Sequence, residues 1–269
     1  MTTSRVAAAA LVMAGALATW ETLGAQGAAG RTRAAQVRDG QVRFTMTLRP
    51  DVCGSGQSIW HSKDGRSRMN WGDRYSRDVT YDVDCESGPG RVVLDKRDGD
   101  VTDLRFYVGG KWRPNADATD LGALGTREAS ELLLDLARTN NGKAGRNAIF
   151  PLTLVDSLEV WRDLMRLARD DTRPRETRRQ SVFWLGQLAE EPATAGLNDL
   201  VGEEALDRDV REQAIFALSQ RPRDEGVPAL IKVVRTSKDR ELRKKALFWL
   251  GQSDDPRGLQ LIEELLAKK

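Results

Sequence analysis

The chain has 269 residues, 42 Lys and Arg against 40 Asp and Glu, one His, and a formal net charge of +2. Hydrophobic residues at 40% and charged residues at 30% suit a soluble, folded protein. The balanced charge disfavours nucleic acid as a partner, because such binders gather Lys and Arg into a patch, whereas here the two signs alternate along most helical stretches.

Residues 1–25 read as a secretory signal peptide. Arg5 supplies a positive n-region, Val6 to Ala18 is an apolar run, and Leu23-Gly24-Ala25 offers small residues for cleavage before Gln26; an earlier cut after Ala16-Leu17-Ala18 also fits. The run is too short to cross a bilayer, which takes about twenty residues, and no Cys follows closely enough to carry a lipid. The expected location is periplasmic or secreted, with no membrane span after signal removal.

Export changes how Cys53 and Cys85 are read. In an oxidising compartment an isolated pair forms a disulfide, which closes a loop worth about 3 to 4 kcal/mol in the chain-entropy model. No metal and no cofactor are expected: two thiols, a single imidazole at His61 and no CxxC spacing make no tetrahedral set.

Residues 36–112 carry strand patterns. Val42, Phe44, Met46 and Leu48 alternate with polar partners, residues 91–95 include Val92, Val93 and Leu94, and residues 104–108 are apolar and aromatic. Asp64-Gly65, Asp98-Gly99 and Gly109-Gly110 are hairpin-type dipeptides, and Gly88-Pro89-Gly90 breaks the chain after Cys85. The expectation is a small antiparallel domain of about five strands, with Cys85 tied back to Cys53. Residues 113–120, polar and holding Pro114, then form a linker.

Helices fill residues 121–269. Thr126 caps a first helix with Glu128 in its first turn, Leu132, Leu133, Leu136 and Ala137 carry its apolar stripe, and Asn140-Asn141-Gly142 closes it. A ten-residue phrase then recurs: RRQSVFWLGQ from Arg178, REQAIFALSQ from Arg211 and RKKALFWLGQ from Arg243, spaced thirty-three and thirty-two residues apart, with a fainter RNAIFPL from Arg146. A unit this short cannot bury its apolar face alone, so copies stack and share one elongated core. Four helix pairs fit the period: 145–155 with 157–169, 176–189 with 193–203, 209–220 with 225–235, and 240–252 with 256–267.

The phrase resembles the HEAT repeat, in particular the short HEAT-like units of phycobilisome lyases, which read R-x-x-A-x-x-A-L-G followed by V-x-x-L. Arg211, Ala214, Ala217 and Leu218 fall on the first part, with Ser219 in place of Gly, and Val227, Leu230 and Ile231 on the second. The resemblance covers about residues 127–269 and implies an α-α superhelix there; with the strand pattern that precedes it, the expected fold class is α+β, a small antiparallel β domain followed by the superhelix. It specifies fold rather than chemistry, and no lyase activity follows from it.

Aligned second helices place Trp161, Thr194, Val227 and Leu259 in one column, Leu164, Leu197, Leu230 and Ile262 in another, and Leu167, Leu200, Val233 and Leu265 in a third, which together form the stacking core. A fourth column, Arg166, Asp199, Lys232 and Glu264, alternates in sign and is expected to pair along the stack. In the first helices, Val210, Ala214, Ala217 and Leu218 point one way and Phe216 roughly opposite. Phe150, Phe183, Phe216 and Phe248 thus form a column, the candidate protein-contact site. Either something covers this outer face, or the helices roll so that each Phe packs between neighbouring repeats.

Enzyme signatures are missing: no GxSxG, no GxxxxGK[ST], no HExxH, and Gly54-Ser55-Gly56 lacks the third glycine of a dinucleotide loop. The expected function is an exported scaffold or regulatory adaptor that recognises another envelope protein without catalysis. Two alternatives stand beside it: an enzyme with a site near His61, flanked by Ser58 and Asp64, and a structural spacer that forms a homo-oligomer.

Overall fold

The computed structural model describes residues 32–56, 59–61, 86–156, 159–188 and 191–267. The expected signal peptide, Cys85 and Asp64-Gly65 lie outside the described residues. Two compact units are present, one of residues up to Leu133 with the segment beginning at Leu154, the other of residues 134–153 with the chain from position 159 onward.

The first unit is built on a sheet because its apolar residues alternate. Its strands are β1 (Gly40–Met46), β2 (Val52–Gly54), β3 (Ile59–His61), β4 (Gly90–Arg97), β5 (Asp100–Val108) and β6 (Ala118–Leu124). Four of them form one sheet in the order β5-β4-β1-β6, and β2 pairs with β3 in a separate ribbon. Val42 and Phe44 stand opposite Leu94 and Val92 in the antiparallel β1–β4 pair, and Val92 and Leu94 stand opposite Phe106 and Leu104 in β4–β5. Val42, Phe44, Val92, Leu94 and Leu104 are buried, so one face of the sheet forms the core. Asp98 (φ 55°) and Gly99 (φ 92°) make the tight turn between β4 and β5, the doubly left-handed geometry that the Asp-Gly pair favours.

Three expectations for this unit need correction. Residues 118–124, within and beyond the expected linker, are strand β6, and it runs parallel to β1, so the sheet is mixed rather than antiparallel. Its register shifts within β1 and Gly122 sits at φ 77°, and these irregularities break the alternation that would have marked it as a strand. Gly109-Gly110 is no hairpin, because β5 and β6 lie at opposite edges of the sheet. Both glycines have positive φ and let the backbone approach Gly54 and Gly56; a Cβ on Gly109 would lie 2.7 Å from the Gly54 carbonyl oxygen.

Two buried cations tie loops to this sheet. Arg91 Nε and Nη1 donate to the carbonyl oxygens of Gly109 and Lys111, each at 2.7 Å, and its guanidinium lies over the rings of Tyr107 and Trp112. Lys96 Nζ donates to the Ala34 carbonyl at 2.7 Å, holding the helical turn at 32–36. Burial lowers the pKa of both.

The helices are α1 (Thr126–Thr139), α2 (Lys143–Asn147), α3 (Ile149–Thr153), α4 (Trp161–Arg169), α5 (Arg175–Gln187), α6 (Glu191–Gly202), α7 (Arg208–Ser219), α8 (Arg223–Thr236), α9 (Arg240–Gly251) and α10 (Pro256–Ala267). From α4 onward they follow the expected pairs within a few residues. The helix expected at 145–155 forms as two short pieces, α2 and α3, with Ala148 between them still at helical φ and ψ. Pro151 has no N–H to give the Asn147 carbonyl and its ring would crowd that oxygen, so α2 ends at Asn147. Beyond α3 the chain leaves the helical path: Arg49 N donates to the Leu154 carbonyl at 3.0 Å, and Leu48 bridges Val155.

In the array, α5, α7 and α9 form one layer and α4, α6, α8 and α10 the other. Leu164, Leu197 and Leu230 are buried in one column of the second layer, and Leu167, Leu200 and Val233 in another. Val210, Ala214, Ala217 and Leu218 bury the matching face of α7. Where a second helix crosses the end of its first helix only a small residue fits: Ala193, Gly226 and Gly258 share this place, and a Cβ on Gly226 would run into the Leu218 carbonyl. The columns open at the last repeat, where Leu259 is 55% and Phe248 56% exposed.

Candidate protein-contact surface

The candidate Phe residues stand on α3, α5, α7 and α9, and the structure joins them through two tryptophans. Phe150 stacks on Trp184 at 4.4 Å between ring centroids, Trp184 meets Phe183 edge-on at 5.1 Å, and Phe183 stacks on Phe216 at 6.4 Å. Phe216 then meets Trp249 at 5.2 Å, and Trp249 meets Phe248 at 5.0 Å. Six rings thus run from repeat to repeat. Phe150, Phe183, Phe216, Trp184 and Trp249 are half-buried, so each ring is shared between a neighbouring repeat and the surface. The indole N–H groups of Trp184 and Trp249 are shielded and find no acceptor among the described residues, so packing holds these rings there.

The column therefore does what inter-repeat packing asks of it while leaving ring edges open. Trp184 and Trp249, whose bridging the Phe spacing does not reveal, follow directly after Phe183 and Phe248 in the phrase. At the same place α7 carries Ala217, which rests against Gly186; a Cβ on Gly186 would lie 2.7 Å from that of Ala217. A small pair thus brings α5 and α7 close, and a Trp fills the wider junction between α7 and α9.

Ion pairs line the ends of the same helices. Arg175 donates to Asp209 at 2.6 Å, Arg208 pairs with Asp239 at 3.2 Å, Arg178 with Asp207, and Lys245 with Glu212 at 3.2 Å, each pair crossing one junction. The exposed pairs among these contribute about 0 to 1 kcal/mol each, enough to favour one register, whereas Arg178 is buried. The expected charged column behaves otherwise: Arg166 pairs with Asp163 of its own helix at 3.0 Å, and Glu264 accepts from Arg235 at 3.2 Å. Long arginines one turn away reach diagonally across the junction, Arg169 to Glu203 at 2.8 Å being the other case, so column-mates do not pair.

One buried cluster locks two repeats together. The Arg221 side chain, 3% exposed, donates from Nη2 to Glu225 at 2.7 Å, from Nε to Thr194 Oγ1 at 2.7 Å, and from Nη1 to the Leu188 carbonyl. The Thr194 hydroxyl and the Arg221 guanidinium together hold the Glu225 carboxyl below its usual range. Asp255, before α10, takes a fork from Arg257 Nε at 2.9 Å and Nη2 at 2.8 Å, and that hydrogen bonding lowers its pKa to about 2.

Cys53 is buried in β2, and the neighbouring Gly54 exchanges backbone hydrogen bonds of 3.0 Å with Glu86, which follows Cys85. His61 lies in β3 opposite Val52, while Ser58 and Asp64 lie outside the described residues. Among the described residues no group of His, Cys, Asp and Glu is placed to hold a metal ion, and no helix is long and apolar enough to cross a membrane.

No curated protein matches the chain. Residues 201–269, which hold α7 to α10, match the family model for HEAT repeats. HEAT repeats generally mediate protein interactions, and stacked helix pairs of this kind present long open surfaces suited to that work. Together with the columns shared by α4 to α10, this makes the chain an α+β protein whose sheet unit is followed by a HEAT-like solenoid.

Proposed function

We propose that the chain is an exported protein-interaction scaffold that binds another envelope protein through the ringed face of α5, α7 and α9, without chemistry of its own. The observation that carries this reading is the ladder of six rings, five of them half-buried and Phe248 exposed. A solenoid needs small and aliphatic residues to stack, and it has them in Ala214, Ala217 and Leu218. A continuous aromatic strip beyond that core supplies the rigid, amphipathic contact area that protein interfaces favour. Export rests on residues 1–25, and the disulfide between Cys53 and Cys85 on their sequence and on the backbone bridge beside them.

A photo-crosslinking residue placed at Gln187 or Gln220, both exposed at the ends of ring-bearing helices, tests the binding reading against one at Asp199 or Lys232 on the other layer. Adducts formed in envelope extract from the first pair of positions alone support it. Adducts from the second pair alone, or from neither, overturn it. Export is tested by fractionating cells that express the full chain and one lacking residues 1–25.

A further inference from the structure

On α5 and α7 each Phe of the ringed face has a Gln three residues before it and another four residues after it: Gln180 and Gln187 with Phe183, Gln213 and Gln220 with Phe216. An α-helix rises about 1.5 Å per residue, so one carboxamide leaves the helix about 4.5 Å below the ring and the other about 6 Å above it. The Phe column thus runs between two rows of amides. Much of their hydrogen-bonding capacity is open. Among the described residues the Gln180 and Gln187 side chains have no partner, Gln213 takes only a 3.4 Å contact from Arg179 and keeps its NH2 group, and Gln220 donates to Ser219 and keeps its oxygen. Both helices stand inside the array, α5 between α3 and α7 and α7 between α5 and α9, so a further repeat beyond α10 would lengthen these columns and leave them uncovered.

We infer that this band binds an extended, uncharged segment of the partner protein, with the main chain between the two amide rows and every second side chain on the rings. Spacing is the first reason. Phe183 and Phe216 lie 6.4 Å apart, and side chains on one face of a strand recur every 6.4 to 6.8 Å or so, about two residues of rise. The amide rows are the second. A strand whose alternate side chains rest on the rings turns its N–H and C=O groups sideways, toward partners at the spacing of about 4.8 Å over which strands pair, and each carboxamide offers both a donor and an acceptor. A helix would satisfy its own N–H and C=O groups and leave both rows idle. Charge complementarity is the third, because the charged residues bordering the band are already paired: Arg179 with Glu176 at 3.4 Å, Asp209 with Arg175 at 2.6 Å, Glu212 with Lys245 at 3.2 Å and Lys244 with Glu241 at 2.8 Å. A sugar would need open ring faces, and stacking turns those of Phe183 and Phe216 toward each other. The inference rests on the ringed face being the binding surface and names the kind of partner segment that it takes.

The test uses residues 26–269 and an octapeptide of alternating Val and Ser, acetylated, amidated and carrying a neutral dye. Saturable anisotropy is expected, with an affinity that changes less than about twofold from low to high salt. Gln180→Met with Gln213→Met, and Gln187→Met with Gln220→Met, each remove one amide row and weaken binding about tenfold, as the loss of two neutral hydrogen bonds requires. Methylation of main-chain nitrogens in the peptide weakens binding to the wild-type chain in the same way. Circular dichroism confirms that both double variants stay folded. No saturable binding, equal binding of an isomer whose Val residues are spaced for a helix, or binding indifferent to both double variants overturns the proposal. A chitin oligosaccharide that binds and is lost in the same variants, or a dimer of the chain that they disperse, also overturns it, because a sugar or a second copy then holds the rows. Crosslinking from Gln187 or Gln220 replaces a single carboxamide and reports any protein on this face, so adducts persist if only the extended form of the partner is wrong.

Discussion

The rings of Phe183 and Phe216 lie 6.4 Å apart and within 10° of parallel, although each belongs to a different copy of the repeated phrase. Stacking of this kind makes an outward-pointing residue part of the junction between repeats. It also gives the array a graded dependence on its aromatics. Phe216, held between Phe183 and Trp249, loses about 2 kcal/mol of stability on change to Ala, roughly half the cost at a fully buried Phe. Phe248, 56% exposed, loses less than about 0.5 kcal/mol. Urea denaturation of the two variants checks the contrast, and equal losses would show that Phe248 is covered in solution.

Gly186 and Gly251 occupy one place in two copies of the phrase but face different neighbours. Gly186→Val forces a branched side chain against Ala217 and costs about 1 to 3 kcal/mol, the usual penalty of overpacking. Gly251→Ala meets only the end of Ile262 and gains the helix propensity of alanine, up to about 1 kcal/mol near the end of α9. Melting temperatures that move in opposite directions verify this pair.

Arg221 serves Glu225, Thr194 and the Leu188 carbonyl from a buried position, so its removal takes a donor from three acceptors and leaves Glu225 with the Thr194 hydroxyl. Arg221→Met is expected to destabilise by about 3 kcal/mol. Arg221→Lys recovers less than half of that, because an ammonium cannot reproduce the planar fork. Equal stability of the Met and wild-type chains in chemical denaturation contradicts the role given to this cluster.

Stability in acid depends on carboxylates held low by hydrogen bonds. The Asp255 pKa of about 2 lies below its unfolded value near pH 4, so its contribution is fully present above about pH 4 and is lost as pH falls through about 2. Glu225, lowered by Thr194 and Arg221, adds in the same direction. Arg257→Gln removes the largest cause at Asp255, and the slope of stability against pH between about 2 and 4 becomes shallower. Denaturation midpoints across that window measure it.

If Cys53 and Cys85 are joined, the mature chain takes up no alkylating reagent under denaturing, non-reducing conditions and two equivalents after reduction, as read by mass spectrometry. Uptake without reductant refutes the bridge.

Much of this was legible in the letters. The period set the helix pairs from α4 to α10, because an apolar face that recurs every thirty-two or thirty-three residues has no place to go but against its own copies. Alternation in β1 and the Asp98-Gly99 turn were equally plain, since both depend on neighbours in sequence. Strand β6 was hidden: pairing with β1 is a long-range choice, and the strand carries a glycine of positive φ where the alternation should continue. Pro151 carries the reason that the first copy breaks, yet the return of residues 154–156 to Leu48 is decided only by the sheet.

For the candidate surface the division falls in the same place. Sequence alone determined that a Phe recurs on the side of the first helices away from their aliphatic core, because a helical wheel needs no tertiary information. Only the tertiary structure decided what those rings do, since the roll of each helix and the width of each junction set whether a ring meets a neighbour or solvent. Gly186 with Ala217 narrows one junction and Trp249 fills the next, so Phe183 and Phe216 are shared between repeats, while Phe248 stays open.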